Sequence, residues 1–353
     1  MTMPVSPSPA WLALDVGGAN LKAAHSGGLA RSLPFELWKR PDDLARGLAS
    51  LVGTLPPADR VALTMTAELC DCYPTKAVGV RSVLDAALAA TRGVPVVVWG
   101  IDGRFHAVAE VRDRPGLAAA ANWLALATLA ARLIPDGPGL LIDVGSTTTD
   151  LIPLVDGRVA VRGRTDTERL QTGELVYVGV RRTPLCSIAR ELPFRGRATG
   201  LAAELFATTL DVFLTLGETP SDPKDLSPAD GRPATADAAV DRLARMVGAD
   251  RDGFGTDDAF AFAEAAADVL LARLASAAEG VTRATVGPPR RAVVAGSGEF
   301  LARRVASVVL EPGGAIVSLA EAWGPVASSA ACAHALAVLA AEWAGAGGSV
   351  ESS

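Results

Sequence analysis

The chain has little of what builds metal centres or disulfide frameworks: four cysteines and three histidines in 353 residues, with no Cys-x-x-Cys pair. A structural zinc ribbon is thereby excluded, and the sparse thiols fit a reducing compartment. Aromatic residues are scarce at 5%, while half of the chain is hydrophobic. That balance is ordinary for an α/β protein and argues against disorder. No basic run occurs, and 33 Lys and Arg face 39 Asp and Glu for a net charge of −6. A nucleic-acid groove is therefore not expected. Residues 1–9 lack a basic start followed by an apolar stretch, so no signal peptide is expected. One long Ala-rich stretch, 325–348, carries His334 and Glu342. Alanine contributes little burial energy, so a packed helix is expected there rather than a membrane span. The expected location is the cytoplasm, with no membrane partner.

What is present is a device used twice. Asp15-Val16-Gly17-Gly18-Ala19-Asn20-Leu21-Lys22 ends one apolar run, and Asp143-Val144-Gly145-Ser146-Thr147-Thr148-Thr149-Asp150 ends another. Each reads as a buried strand, a tight turn of small residues and a returning strand. The Asp sits where the apolar strand runs out, and the bare turn lets backbone N–H groups approach an anion. Two such hairpins imply two half-molecules that each offer a phosphate grip to a shared cleft. A third Gly-rich turn, Gly296-Ser297-Gly298, follows an apolar strand and opens a helix, the arrangement of a strand-to-helix anion site. A hairpin that needs Gly only for its backbone angles is the plain alternative for each turn taken singly.

The length predicts two domains. Strands are expected at 30–38, 61–65, 94–99, 151–155, 158–161 and 291–295. Helices are expected at 41–52, 78–91, 115–133, 201–216, 236–247, 257–279, 299–309 and 326–343. Residues 136–139, Asp-Gly-Pro-Gly, form the best boundary. The expected domains are 1–135 and 136–345, with the last helix packing back on the first domain and 346–353 as a disordered tail. Alternating strands and helices give an α/β fold with mixed sheets.

The three phosphate turns resemble those of the actin, sugar-kinase and Hsp70 superfamily. Residues 165–184, beginning Thr165-Asp166-Thr167-Glu168-Arg169-Leu170-Gln171-Thr172-Gly173-Glu174, are similar to its hydantoinase A/oxoprolinase branch. Within that branch, Asp15 to Lys22, Thr64-Met65-Thr66-Ala67-Glu68-Leu69-Cys70-Asp71, Ala121-Asn122-Trp123 and Ser227-Pro228-Ala229-Asp230-Gly231-Arg232 resemble the proteins of tetrahydromethanopterin-linked one-carbon metabolism. That group includes synthases of methanofuran biosynthesis. The resemblance implies two actin-like (ribonuclease H-like) domains flanking a phosphate cleft. It also implies a transferase that joins an aminomethyl-furan methyl diphosphate to the phenol of γ-glutamyl-tyramine and releases diphosphate.

Under that resemblance the residues take roles. A leaving diphosphate develops negative charge, which backbone N–H groups, a lysine and a divalent metal stabilise. Gly17, Gly18, Asn20, Gly145, Ser146, Thr147, Gly296, Ser297 and Gly298 would bind phosphate. Lys22 would supply a cation, and Asp15 and Asp143 would hold Mg²⁺ through water. The phenol needs a base, and Glu68 and Asp71 are the acidic candidates. Asn122 and Arg181 are candidates for substrate contact. ATP is compatible with the cleft but not required, and Ala19 stands where kinases of the wider superfamily often carry a hydroxyl. Each role has a duller counterpart: turn-capping for the two Asp, a solvated strand lysine for Lys22, loop acids for Glu68 and Asp71, helix packing for Asn122 and a solvated pair for Arg181-Arg182. Cys70, Cys72, His25, His106 and His334 are read as non-ligands, and Asp230-Gly231-Arg232 as a turn with a lid role open. The oligomeric state is not legible, and a homodimer is compatible with the sequence. Two other functions stay open: an ATP-dependent hydrolase or small-molecule kinase, and a non-catalytic nucleotide-binding assembly factor.

Overall fold

The first duplicated segment begins at Trp11–Val16 (β1), buried at all six positions in the computed structural model, which describes residues 9–349. Residues 1–8 and 350–353, on which the expectations of no leader and a terminal tail partly fall, lie outside the described residues. Strand β1 runs antiparallel to Asn20–His25 (β2) and parallel to Arg60–Met65 (β4). With Ala30–Pro34 (β3), Val96–Trp99 (β5) and Phe105–Ala107 (β6) they form a mixed sheet in the order β3-β2-β1-β4-β5-β6. A central strand covered on both faces is buried at every position, and β1 is apolar at all of them except Asp15 near its end. Leu12, Leu14 and Val16 enter the core beneath helices Leu44–Val52 (α1) and Lys76–Thr91 (α2). The alternate residues, Trp11, Ala13 and Asp15, belong to the other face by the two-residue period of a strand.

Between β6 and the second hairpin lie Val108–Asp113 (α3) and Asn122–Ala130 (α4). The single helix expected over 115–133 is broken. A 3₁₀ turn covers Pro115–Leu117, and Ala120 takes the left-handed conformation at φ 51° before α4 begins. The carbonyl of Leu117 accepts a hydrogen bond from Ile101 N at 2.8 Å, an outside donor that holds the chain in its bent course. By length and composition Pro115–Leu133 is apolar enough to cross a membrane, yet 61% of that window is buried in the structure. The strand expected over 30–38 ends at Pro34, after which Leu37–Lys39 turns.

The second sheet grows from Pro138–Val144 (β7) and Thr149–Val155 (β8), with Arg158–Val159 (β9) paired to the end of β8. Helix Asp166–Thr172 (α5) follows, then Leu175–Val176 (β10) and the hairpin Glu191–Phe194 (β11) and Arg197–Gly200 (β12). Helices Thr209–Thr215 (α6), Ala236–Arg245 (α7) and Thr256–Ala284 (α8) precede Arg291–Ala295 (β13), Glu299–Val309 (α9) and Ala315–Ser318 (β14). The order is β10-β8-β7-β13-β14, with β7 and β13 parallel. The helix expected from residue 201 starts only at Thr209, where Thr208 and Asp211 form a capping box. The chain ends in Leu319–Trp323 (α10), Pro325–Ser329 (α11) and Ala331–Gly345 (α12), so the single helix expected over 326–343 is interrupted at Ala330.

The described residues divide into two compact units. The first holds the chain up to Gly137, Leu154–Gln171 and the chain from Val317; the second holds Pro138–Pro153 and Thr172–Ile316. The chain therefore passes between units more often than one cut at residue 136 would require. Residues after Pro153 return to the first unit through hydrogen bonds from Asp156 N to the Gly137 carbonyl and from Gly157 N to the Ile134 carbonyl. Helix α12 packs on α4 and on β1, β2 and β4 within the first unit, where Trp343 meets Trp11 edge-on at 6.3 Å.

Candidate functional site

In the first unit the register pairs Asp15 with Lys22 across the hairpin and with Thr64 on β4. Asp15 is buried, and its Oδ1 accepts a hydrogen bond from Asn122 Nδ2 at 3.2 Å. Asn122 opens α4, so the break at Ala120 is what brings this amide to the strand end. Burial pushes the Asp15 carboxyl up, while the Lys22 charge and the Asn122 hydrogen bond pull it back only in part. A buried carboxylate of this kind gains from any added cation.

The two hairpins use their first glycines in the same way. Gly17 N donates to the Asn20 carbonyl at 3.1 Å, and Gly145 N donates to the Thr148 carbonyl at 2.8 Å. These N–H groups close the turns that Gly17 and Gly145, expected to bind phosphate, begin. Among the described residues, the N–H groups of Gly18, Ser146 and Thr147 are not used within the turns. Gly18 has a further constraint, since a Cβ there would meet Cys70 Sγ at 2.6 Å.

The second hairpin is braced from behind by residues 178–183. Val180 N donates to the Gly145 carbonyl at 3.0 Å, and Arg181 N and Arg182 N both donate to the Ser146 carbonyl, at 3.1 and 3.0 Å. Thr149 Oγ1 donates to the Val178 carbonyl at 2.8 Å. Gly179 lies so close that a Cβ would collide with the backbone of Gly145, Ser146 and Thr147. Turn Gly296 to Gly298 abuts the same strand end. Gly296 has φ 92°, and a Cβ on it would strike the Val144 carbonyl and Asp143 Oδ1. Ser297 is exposed and Asp143 is half-buried. The Arg181 guanidinium pairs with Asp225 in the Pro-rich loop. Burial pushes the Asp225 carboxyl up, but hydrogen bonds from Ser227 and Arg181 outweigh it and leave it below the usual range.

The two acids after β4 part company. Asp71 is exposed on a turn. Glu68, in the 3₁₀ turn Ala67–Leu69, is 1% exposed, and both of its carboxylate oxygens are buried with no hydrogen-bond partner among the described residues. Burial pushes it up to about 7. Asp166 adds to the rise and Lys76 opposes it; the amides of Glu68 and Ala120 also oppose it without a hydrogen bond of normal geometry. Helix α2 reaches this turn because Gly79 has no Cβ to collide with the Glu68 backbone.

Three features near these residues escaped sequence reasoning. Thr165-x-x-Glu168 is a capping box: Glu168 N donates to Thr165 Oγ1 at 3.3 Å, and Glu168 Oε2 accepts from Thr165 N at 3.1 Å. Its spacing is readable in the sequence. Asp166, at the start of the capped helix, pairs with Lys76 at 3.7 Å. The buried Arg169 guanidinium lies 4.0 Å from the Trp123 ring centroid, a desolvated cation–π contact of the kind worth about 2 kcal/mol. No sequence signal links positions that far apart. Cavities of about 250 and 480 Å³ open near the β11–β12 hairpin and between α8 and α9, and none of the residues expected at the site lines them.

An archaeal (4-{4-[2-(gamma-L-glutamylamino)ethyl]phenoxymethyl}furan-2-yl)methanamine synthase, from Methanocaldococcus jannaschii, is 36% identical over 263 residues, covering 74% of this chain and 78% of that protein. An archaeal actin homologue, Ta0583, is similar over 94% of this chain and 99% of its own, at 13% identity and a TM-score of 0.42. A nucleotide-free acetone carboxylase is similar at 12% identity and a TM-score of 0.48; this chain spans about half of that one, 49%. Residues 59–342 match the hydantoinase/oxoprolinase family, which takes in Glu68, Asn122, the second hairpin and the Gly296 turn. By that match and the shared identity, the chain belongs to the hydantoinase/oxoprolinase family.

Proposed function

We propose that this protein is a transferase of methanofuran-type cofactor synthesis, working in the cytoplasm on small molecules in support of tetrahydromethanopterin-linked one-carbon transfer. It joins an aminomethyl-furan methyl diphosphate to the phenol of γ-glutamyl-tyramine, forming the aryl ether and releasing diphosphate. The observation that carries this reading is the 36% identity, over most of both chains, to a synthase whose name describes that phenoxymethyl-furan product.

The residues suit the chemistry. A phenol ordinarily loses its proton near pH 10, so attack at neutral pH calls for a base. Glu68, pushed up to about 7 by burial, has the affinity a base needs near the working pH. In the reaction the phenolic O–H bond breaks, its proton goes to a Glu68 oxygen, and the oxygen's electron pair forms the new bond to the furan methylene carbon. The old carbon–oxygen bond breaks with its pair leaving on diphosphate. The N–H groups of Gly18, Ser146 and Thr147 and the Lys22 ammonium are suited to that developing charge, and Asn20, Gly296, Ser297 and Gly298 complete the small-residue turns.

Among the described residues no group of three or more His, Cys, Asp or Glu gathers to hold a metal ion. Mg²⁺ does not need one, since it keeps several waters and binds through one or two carboxylates and substrate phosphates. Asp15, buried and only partly compensated, is suited to such a contact, and Asp143 offers a second oxygen donor. Bound there, Mg²⁺ would neutralise charge on the leaving diphosphate. Incubating the chain with Mg²⁺, the furan diphosphate and γ-glutamyl-tyramine, and following the ether by mass spectrometry, tests the reading. Absence of the ether together with substrate-dependent ATP turnover would favour an ATP-dependent hydrolase, as the family match also allows.

A further inference from the structure

Glu68 is a buried acid whose two oxygens find no hydrogen-bond partner among the described residues, an arrangement that costs free energy. The charged groups that face it come from two helices: Lys76 opens α2, and Asp166 opens α5. Both starts are fixed locally. Thr75 caps α2 by accepting from Val78 N, and Thr165 and Glu168 cap α5. Gly79 lets α2 dock against the Glu68 turn, and Arg169, stacked on Trp123, anchors α5 one turn beyond Asp166. The two side chains then pair at 3.7 Å, and they are far less buried than Glu68, with 38% and 20% exposed. Two rigid helix ends thus present one positive and one negative charge to the same buried carboxyl.

We propose that Lys76 and Asp166 are positioning residues for Glu68: the ion pair joining the starts of α2 and α5 faces the buried carboxyl and sets when it can take the phenolic proton. This rests on the reading of Glu68 as the base. The like charge of Asp166 favours the protonated form of Glu68, and the Lys76 ammonium favours the ionised form. Pairing the two makes their effects offset, while burial supplies the largest part of the rise.

The test is an infrared pH titration of the buried carboxylic acid band in the full chain, between about pH 5 and 9, where buried carboxyls of this kind titrate. The band is assigned by its loss in Glu68→Gln. Asp166→Asn should move the midpoint down and Lys76→Met should move it up, each by roughly half a pH unit or more. General loosening of the core would admit water and lower both midpoints, so the opposite signs carry the proposal. Midpoints that stay put, or that move the same way in both variants, would overturn it. The base reading is judged separately: if Glu68→Gln keeps full ether-forming turnover, that reading fails whatever the infrared titration shows.

Discussion

Asp15 and Asn122, 107 positions apart, are joined by a hydrogen bond of 3.2 Å that ties the end of β1 to the first residue of α4. Ala120, two residues before Asn122, departs from helical geometry at φ 51°. A non-glycine residue in this region stores roughly 1–3 kcal/mol of strain.

Replacing Asn122 by Ala removes the donor and leaves Asp15 buried with the Lys22 charge as its remaining favourable neighbour. The expected loss of stability is about 1–3 kcal/mol, read by urea unfolding at neutral pH. At a pH low enough to protonate Asp15 the difference from the parent chain should shrink.

Glu68→Gln separates stability from catalysis. Burial raises the folded-state affinity of Glu68 for its proton from an ordinary 4.5 to about 7. The parent chain therefore loses stability as pH rises through that interval, by on the order of 3 kcal/mol. The glutamine variant should not show that loss, and melting temperatures at pH 5 and pH 8 check it. Ether formation should fall about 10²–10⁴-fold if Glu68 is the base.

Gly296 is the glycine where a methyl group should do the most harm. Its φ of 92° and its closeness to the Val144 carbonyl and Asp143 leave no room. Gly296→Ala should destabilise by more than about 2 kcal/mol, whereas Gly313→Ala, at φ 82° with open space around it, should cost about 1 kcal/mol. Equal losses in denaturant titrations would show that the packing at Gly296 is not what the geometry says.

The Arg181–Asp225 pair holds the substrate candidate Arg181 against the Pro-rich loop. Asp225→Asn should release the guanidinium and change KM for an anionic substrate by a few-fold, with little change in kcat. The pair is partly exposed, so its contribution to stability should stay below about 1 kcal/mol. A large drop in melting temperature with unchanged KM would assign Arg181 a structural role instead.

Much of the fold was legible because local chemistry writes it. The buried β1, the Asp near the end of each strand, the glycine turns and the strand-to-helix turn at Gly296 all fall where the residue pattern places them. Helix ends read less well. The stretches 115–133 and 201–216 look helical by composition, but Ala120 and the capping box at Thr208 stop or delay them, and alanine-rich runs carry no mark of where a helix must break.

By itself the sequence determined the turns and the alternation of buried and exposed positions, because backbone angles and strand periodicity act between near neighbours. Which acid would be chemically unusual was decided by tertiary structure alone. Glu68 and Asp71 stand three residues apart in one loop, yet one is buried and the other is exposed. Helix α2 packs on the turn that holds Glu68, and the affinity of a carboxyl for its proton depends on the charge and solvent that such distant segments bring or exclude.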